Sequence, residues 1–524
     1  MIDLLIRNAE IYDGSGNTPF LGSVGVDGGR IVFVGTETQS ARETVDAEGL
    51  ALSPGFIDVH SHSDQSVFEE PHRLNPLRMG VTTELAGNCG LSCSPASPEL
   101  DPESREFLKN KRSPFFTHMA EEIAALETLE LGVNQRYFAG HGLLRGSVLG
   151  LQNRHAEPEE LAAMQKLLAG ELQEGAAGVS TGLSYVPGIY CGSDELIALG
   201  RTAGEHGGIY TTHSRSESME LFECVQECIR IGREGRVPVN ISHFKCVGSV
   251  FWEKCGKALS MIDAAIAEGV DISLDAYPYI AASTTTLSAI PPRFLEHGAV
   301  AFAQSLADPN VAKEIYREIY EVNDPSWDNS IYYVGLENFR IVRAEQTPWA
   351  VGKSYAEAAA ELGLSPFDGM IELLRRNRGS VYECRFSMCE ENVEMILKHP
   401  RCMVGSDGIY LPGDASAHPR AFGTFPRYLG RYIRERGILS REEGIRRITG
   451  MPAERYGLRG KGRIAPGYDA DLTLFDYDTI LDRADFTNPF LPNEGIRRVY
   501  VGGKLALLDN EPTGNWCGRY LREN

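Results

Sequence analysis

The sequence lacks two features that would place it in or across a membrane. No apolar run is long enough to span a bilayer, and the first residues, MIDLLIRNAEIYDG, lack a secretory signal. Asp3 and Arg7 interrupt the apolar stretch, and no small-residue cleavage site follows them. These absences exclude an integral membrane protein and predict a cytoplasmic one.

The sequence also lacks an excess of positive charge. Its 51 Lys and Arg residues face 72 Asp and Glu residues, which gives a formal net charge of -21. A surface of this sign does not attract nucleic acid or an anionic membrane. The charge therefore argues against both of those partners, and it does not exclude an anionic small-molecule substrate.

The cysteine count does not fit a disulfide framework. Eleven cysteines are an odd number in a chain of 524 residues that shows no sign of export. We therefore expect most of these thiols to be reduced. A chain of this length also buries a large core without covalent cross-links.

The order of predicted elements indicates an α/β protein with three parts. Residues 1–54 and 462–524 alternate apolar and polar residues around Gly-rich turns, which predicts one small β-sandwich domain built from both termini. Residues 55–461 alternate short apolar strands with helices, and eight such units predict a (β/α)8 TIM-type barrel. The connection between the seventh and eighth strands is too long for one helix, so residues 287–341 approximately are expected to form an inserted lid.

Polar residues that bind metals follow the predicted barrel strands. The stretch GFIDVHSHSD ends the first strand with His60 and His62, which point to the same side because they lie two apart. The ends of the second, fifth, sixth and eighth strands carry Cys89, His213, His243 and Asp407. Because the strand ends of a barrel open onto one face, these six side chains are expected to converge there.

Each of these residues has a structural alternative when it is taken alone. A single histidine can be a satisfied polar residue, Cys89 a buried thiol and Asp407 a turn aspartate. Their joint placement favours a metal centre, and imidazole, thiolate and carboxylate donors together suit zinc best. Zinc lowers the pKa of bound water to about 7, and Asp407 is then placed to move the proton. The pattern predicts metal-assisted hydrolysis of a carbonyl or a related centre.

These residues resemble the amidohydrolase superfamily, with His-x-His on strand one, histidines on strands five and six, and an aspartate on strand eight. Within it, the chain resembles the N-acyl-D-amino-acid deacylases, or D-aminoacylases. Strand four, GVSTGLSYVPG, has no lysine to bridge two metals, and Cys89 in GNCG is placed to bridge instead. The segments AGHGLLR, ISHFK, DAYPY and HPRAFGTFPR are also similar to that family.

The resemblance implies roles for particular residues. Cys89, His213 and His243 would hold one tight Zn2+, and His60 and His62 would hold a weaker second ion that shares the cysteine. Asp407 would be the general acid and base. Two further residues, Lys245 and Tyr277, would bind the substrate carboxylate, and the implied activity is hydrolysis of N-acyl-D-amino acids to a carboxylate and a free D-amino acid.

Three other functions compete with this reading. A D-dipeptidase and a cyclic-amide hydrolase of the hydantoinase or dihydroorotase type belong to the same superfamily, and a catalytically inactive barrel would serve as a scaffold. Arg215 is predicted either to meet an acidic substrate group or to pair with Glu217. The sequence does not locate the determinant that separates neutral from acidic D-amino acids and does not indicate an oligomeric state.

Overall fold

The structure is a computed structural model that describes residues 1–37, 39–100, 102–108, 114–410, 413 and 416–522. Its strands are β1 Ile2–Ile11, β2 Phe20–Asp27, β3 Arg30–Gly35, β4 Ala41–Asp46, β5 Ala51–Pro54, β6 Phe56–Asp58, β7 Val81–Ala86, β8 Asn134–Tyr137, β9 Ala139–Gly140, β10 Gly178–Gly182, β11 Ile209–His213, β12 Val239–Ile241, β13 Ile272–Ala276, β14 Ala281–Thr285, β15 Phe339–Arg343, β16 Tyr382–Phe386, β17 Cys402–Val404, β18 Leu472–Phe475, β19 Ile496–Val501, β20 Lys504–Leu508 and β21 Glu511–Pro512.

The α-helices are α1 Leu74–Arg78, α2 Pro102–Leu108, α3 Met119–Leu126, α4 His141–Leu149, α5 Pro158–Glu174, α6 Ser193–Glu205, α7 Leu221–Gly235, α8 Lys254–Ala267, α9 Gly298–Ser305, α10 Pro309–Arg317, α11 Ser330–Val334, α12 Tyr355–Leu362, α13 Pro366–Arg376, α14 Glu390–Lys398, α15 Arg420–Arg427, α16 Arg441–Arg446 and α17 Gly450–Arg455. Two π-helical segments, Glu318–Val322 and Tyr428–Glu435, continue α10 and α15. Within the described part of the chain, no helix has the length and apolar character needed to cross a membrane.

Strands from both ends of the chain form one nine-stranded sheet. Its order is β21-β20-β19-β18-β5-β1-β2-β3, and β4 pairs with β1. β18 runs antiparallel to β5, with Leu474 opposite Leu52, so the C-terminal segment extends the sheet that the N-terminal strands begin. Apolar residues of β1 and β2 such as Ile6 and Val24 pack in the same buried cluster as Leu472, which ties the two ends together.

The middle of the chain contains two parallel sheets flanked by helices. One has the order β17-β13-β12-β11-β10-β9 and the other the order β6-β7-β8. Only Phe138 separates β8 from β9 along the chain, and a parallel bridge from Ser61 to Gly408 joins the ends of β6 and β17. The strands are buried on both faces, as expected for parallel strands covered by helices. The predicted α/β class is confirmed.

A long segment separates β13 from β17 and has its own sheet. This sheet is antiparallel, with the order β14-β16-β15, and the helices α9 to α13 pack with it around a separate buried core. The segment runs from Ala281 to Phe386, beyond the predicted 287–341 at both ends. Its first and last strands along the chain, β14 and β16, pair Ala281 with Phe386, and a partner so distant in sequence leaves no local pattern that marks the boundary.

Two buried carboxyl groups lie between α3 and α5 without a full set of partners. Ser94 Oγ donates to Glu122 Oε2 at 2.8 Å, and Glu171 Oε1 accepts the Met119 amide at 3.0 Å. Each glutamate is 1% exposed, and its other oxygen has no hydrogen-bond partner among the described residues. Burial raises the pKa of Glu122 to about 8 and that of Glu171 to about 7.

We expect this pair to make stability depend on pH. The folded protein keeps the Glu122 proton up to a pH of about 8, whereas the unfolded chain loses it near 4.5. Folding therefore takes up a proton in this window, and the free energy of unfolding falls as pH rises through it, by on the order of 4 kcal/mol. Thermal unfolding across the window should show a shallower pH dependence for Glu122→Gln than for the unmodified protein. The exposed Glu130→Gln is the control, and equal slopes in all three proteins would contradict the prediction.

Candidate metal centre

The six predicted metal-capable residues follow the parallel strands at their carboxyl ends. His60 and His62 come just after β6, Cys89 after β7, His243 after β12 and Asp407 after β17, while His213 is the last residue of β11. Three of them have left-handed backbone, with φ of 55° at Cys89, 34° at His243 and 48° at Asp407. Such conformations are costly for residues other than glycine and cluster at functional sites.

The structure brings these six side chains into two overlapping groups. Potential ligand atoms of Cys89, His213 and His243 lie within 4.8 Å of one another, and the same holds for His60, His62, Cys89 and Asp407. Cys89 belongs to both groups. Its Sγ lies 3.4 Å from His60 Nε2 and 3.5 Å from His243 Nε2.

The donor set fits a bound divalent metal. One thiol, four imidazoles and one carboxylate converge, and all are buried except His213, which is partly exposed. Burial opposes ionisation of the Cys89 thiol, but His60 and His243 hold its pKa well below the usual value. Thiolate and imidazole donors together are a combination that suits zinc among common metals.

Two carboxylates that the sequence analysis did not assign orient the histidines. Asp275 Oδ1 lies 3.2 Å from His60 Nδ1 and accepts the His243 amide at 2.7 Å. Glu217 Oε1 lies 3.1 Å from His243 Nδ1. Because Nδ1 of both rings faces a carboxylate, both rings present Nε2 towards Cys89, as histidine ligands do when a second group fixes their tautomer.

Asp407 lies between the histidines and a buried arginine. Its Oδ1 is 3.1 Å from His62 Nε2, and its Oδ2 is 2.9 Å from Arg420 Nη1. Burial opposes ionisation, but the Arg420 guanidinium and the His62 contact hold the pKa of Asp407 well below its usual value. Arg420 is only 1% exposed. It lies in the segment HPRAFGTFPR, but no local sequence pattern predicts its contact with Asp407.

Lys245 and Tyr277, the two residues predicted to bind the substrate carboxylate, lie beside the metal-capable residues. Lys245 Nζ donates to Glu217 Oε1 at 2.6 Å and lies 2.7 Å from His243 Nδ1. The Tyr277 hydroxyl is buried and has no hydrogen-bond partner among the described residues. Its ring lies 4.6 Å from the Arg420 guanidinium carbon.

Two further groups near the site have their own partners. The predicted pairing of Arg215 with Glu217 is wrong, because its guanidinium binds Glu227 Oε2 at 2.9 Å in α7. His141, Cys191 and Glu195 form a third compact group of metal-capable residues. Glu195 there pairs with the buried guanidinium of Arg145, which supplies the positive charge that a metal ion would otherwise bring.

A cavity of about 600 Å³ opens above the metal-capable residues. Cys89, Lys245, Tyr277 and Asp407 are among the residues that line it, on the side of the parallel strands. The segment between β13 and β17 provides the opposite wall, with residues that include Leu287, Ile290, Leu295 and Arg385. A volume of this size is typical of a site for a small molecule.

Comparison with known proteins places this geometry in a family. The pattern of the amidohydrolase family matches residues 43–206 and 335–506. The chain belongs to the amidohydrolase family. It is 36% identical to a D-aminoacylase of Alcaligenes xylosoxydans xylosoxydans over 99% of this chain and 97% of that protein. It is 34% identical to an N-acyl-D-glutamate deacylase of the same organism over 100% and 97% of the two chains.

Solved structures of amidohydrolases agree with this assignment. A crystal structure of D-aminoacylase superimposes with a TM-score of 0.85 at 34% identity, covering 100% of both chains. The N-acyl-D-glutamate deacylase of Bordetella bronchiseptica, complexed with zinc and a phosphonate mimic of the tetrahedral intermediate, gives 0.84 at 32% identity over 99% of both chains. The predicted membership of the D-aminoacylase branch is confirmed, and so is the prediction of an amidohydrolase enzyme.

Proposed function

We propose that this amidohydrolase hydrolyses the amide bond of N-acyl-D-amino acids, giving a carboxylate and a free D-amino acid. The observation that carries the proposal is the convergence of Cys89, His213, His243 and Asp407 at the floor of one cavity. The names of its relatives, D-aminoacylase and N-acyl-D-glutamate deacylase, support the same reaction. The substrate is a small molecule that fits the cavity beside these residues.

The proposed architecture is a (β/α)8 barrel with a lid. The two parallel sheets are its two arcs, joined through Phe138 on one side and through the Ser61–Gly408 bridge on the other. The segment from Ala281 to Phe386 is the lid, because it forms the cavity wall opposite the strand ends. A barrel with its site at the carboxyl ends of the strands accounts for where the six residues lie.

Zinc is the proposed cofactor. Cys89, His213 and His243 would hold the tight ion, and His60 and His62 would hold a weaker second ion that shares Cys89. Bound zinc supplies a Lewis acid and a water molecule with a pKa of about 7. Asp275 and Glu217 keep His60 and His243 in the tautomer that leaves Nε2 free to coordinate.

Asp407 is the proposed proton carrier. Its Oδ2 is held by Arg420, and its Oδ1 faces the histidines, so one oxygen is fixed while the other points at the reacting centre. Asp407 takes the proton of the attacking water and delivers it to the departing nitrogen. Collapse of the tetrahedral intermediate then releases the D-amino acid.

Three groups around Tyr277 would bind the substrate α-carboxylate. The buried Tyr277 hydroxyl and Arg420 Nε have no hydrogen-bond partner among the described residues, and Lys245 Nζ lies 5.7 Å from the Tyr277 ring. A carboxylate there would satisfy buried donors that are otherwise unpaired. Fixing the carboxylate, the reacting carbonyl and the side chain at three points selects the D-enantiomer, since an L-substrate cannot satisfy all three.

The first experiment is release of free amino acid, detected with ninhydrin, from paired N-acetyl-D- and N-acetyl-L-amino acids. We expect release from the D-forms only, and loss of that release when the protein is stripped of metal by a chelator and recovery when zinc is added. The panel contains methionine, leucine, glutamate and aspartate in both configurations. Release from the L-forms at equal rates would contradict the stereochemical assignment. Turnover of a hydantoin or a D-dipeptide with none of the N-acetyl-D-amino acids would replace the proposed substrate by that class.

A further inference from the structure

The inserted segment contributes apolar side chains and a buried guanidinium to the cavity wall. Leu287, Ile290 and Leu295 line the cavity and belong to the buried core of that segment. Arg385 on β16 also lines the cavity and is 8% exposed. Whether this wall accepts an anionic side chain therefore depends on whether the charge of Arg385 is already compensated.

Arg385 has a carboxylate partner behind the wall. Its Nε and Nη2 lie 2.8 Å and 2.7 Å from Glu383 Oε1. Glu383 is 0% exposed, and its other oxygen accepts the Thr286 hydroxyl, which in turn contacts the Tyr355 hydroxyl. Glu383 and its hydroxyl partners lie on the side of Arg385 that faces away from the cavity. The positive charge of Arg385 is therefore compensated inside the protein.

Other groups occupy further N–H bonds of the same guanidinium. Nη1 donates to Ser330 Oγ at 2.8 Å, and Nη2 donates to Ser288 Oγ at 2.6 Å. The guanidinium carbon also lies 4.9 Å from the centre of the Phe339 ring. A second carboxylate brought to Arg385 would compete with Glu383 for one buried cation and would leave excess negative charge in a desolvated place.

Three other cations line the cavity, which are Lys245, Arg343 and Arg378. Lys245 Nζ pairs with Glu217 Oε1 at 2.6 Å. The Arg343 guanidinium carbon lies 3.8 Å over the Tyr382 ring, and Arg378 is exposed, so solvent screens its charge. The groups at Tyr277 serve one carboxylate, which is the α-carboxylate of the proposed substrate.

We propose that the Glu383–Arg385 pair makes this enzyme selective for D-amino acids with uncharged side chains, against D-glutamate and D-aspartate. This inference rests on the proposed deacylase function and names its substrate class. Glu383 does not touch the substrate. It sets the preference by neutralising Arg385, which forms part of the wall that faces the side chain.

The sharpest test compares N-acetyl-D-glutamine with N-acetyl-D-glutamate, because the two differ in charge and hardly in shape. We expect kcat/KM of the zinc-loaded wild type to favour glutamine by about 100-fold or more, since the acid must bury an uncompensated charge. N-acetyl-D-leucine serves as the apolar reference. Equal values, or a preference for glutamate, would overturn the inference without any variant.

Glu383→Gln tests the residue itself. The glutamine oxygen can still accept from Arg385 Nε, but the guanidinium charge is no longer compensated. We expect the ratio of kcat/KM for N-acetyl-D-glutamine to kcat/KM for N-acetyl-D-glutamate to fall at least tenfold in this variant. The double variant Glu383→Gln/Arg385→Gln is expected to return this ratio to the wild-type value. The matched control is Glu195→Gln, which makes the same change in the buried pair with Arg145 outside the cavity and should leave the ratio unchanged.

The outcomes separate this inference from the proposed function. A wild type that releases amino acid from no member of the panel refutes deacylation, and the selectivity question then falls with it. A wild type that is active on neutral and acidic substrates alike refutes the selectivity alone. A folded Glu383→Gln variant with an unchanged ratio and an unchanged circular dichroism spectrum refutes the role of Glu383, whatever the wild type prefers.

Discussion

Asp407→Asn is expected to lower kcat by about 10³-fold while the protein keeps the zinc proposed at Cys89, His213 and His243. The amide has nearly the shape of the carboxylate but does not accept and return a proton at neutral pH. Metal retention is expected because Cys89, His213 and His243 form a compact group without Asp407. Steady-state kinetics on the best N-acetyl-D-amino acid and elemental analysis of the dialysed protein measure the two quantities.

The ion pair of Asp482 and Arg427 offers a matched control. Asp482 Oδ2 pairs with Arg427 Nη1 at 3.2 Å, and the Arg427 guanidinium carbon lies 4.7 Å over the Tyr279 ring. This arrangement repeats the Asp407, Arg420 and Tyr277 contacts without the histidines. Asp482→Asn should therefore retain activity to within a few fold. Full activity of Asp407→Asn would remove Asp407 from the proposed mechanism, and loss of zinc in that variant would make Asp407 a metal ligand instead.

Cys89→Ala is expected to have the second large effect, which is loss of the tight metal. Cys89 is the one residue shared by both ligand groups, so its removal deprives both of a donor. Changing a group that only supports a ligand costs 10- to 100-fold in metal affinity, so loss of the thiolate itself should cost more than about 100-fold. Activity should fall with zinc content and should not return at moderate added zinc.

The backbone does not confound this experiment. Cys89 has φ of 55°, and alanine meets the same strain there as cysteine. Cys93→Ala is the matched control, since Cys93 is a buried thiol in the same loop, with its Sγ 3.5 Å from the Asp64 carbonyl oxygen. Zinc content that is unchanged in Cys89→Ala, measured per chain by elemental analysis, would make Cys89 a core thiol.

The positions of the candidate ligands could be predicted because each follows a short apolar strand. His60 and His62 share one side of the chain through the two-residue period, and His213 and His243 end similar β-branched runs. In an α/β fold with parallel strands, the carboxyl ends of neighbouring strands meet. The pattern alone therefore indicated a common site for residues separated by more than 300 positions in the chain, as for His60 and Asp407.

The residues that tune the site could not be predicted in the same way. Asp275 reaches His60, Glu217 reaches His243 and Arg420 reaches Asp407, and no fixed spacing along the chain relates the partners. Each is a charged group that is tolerated in the interior only because a partner from another element is close. Arg215 illustrates the converse, since its nearest acid in the sequence, Glu217, is not the acid that it binds.

The sequence by itself determined the α/β class, the amidohydrolase family and the set of residues from which a metal site can be made. The α/β class and the residue set follow from local periodicity and from residue types at strand ends, and the family follows from the resemblance of the motifs. The tertiary structure decided the extent of the inserted segment, the partners of the buried charges and the pairing of Arg385 with Glu383. These features depend on which elements pack together. The energy of a buried charge depends on how close its partner lies in space and not on their separation along the chain.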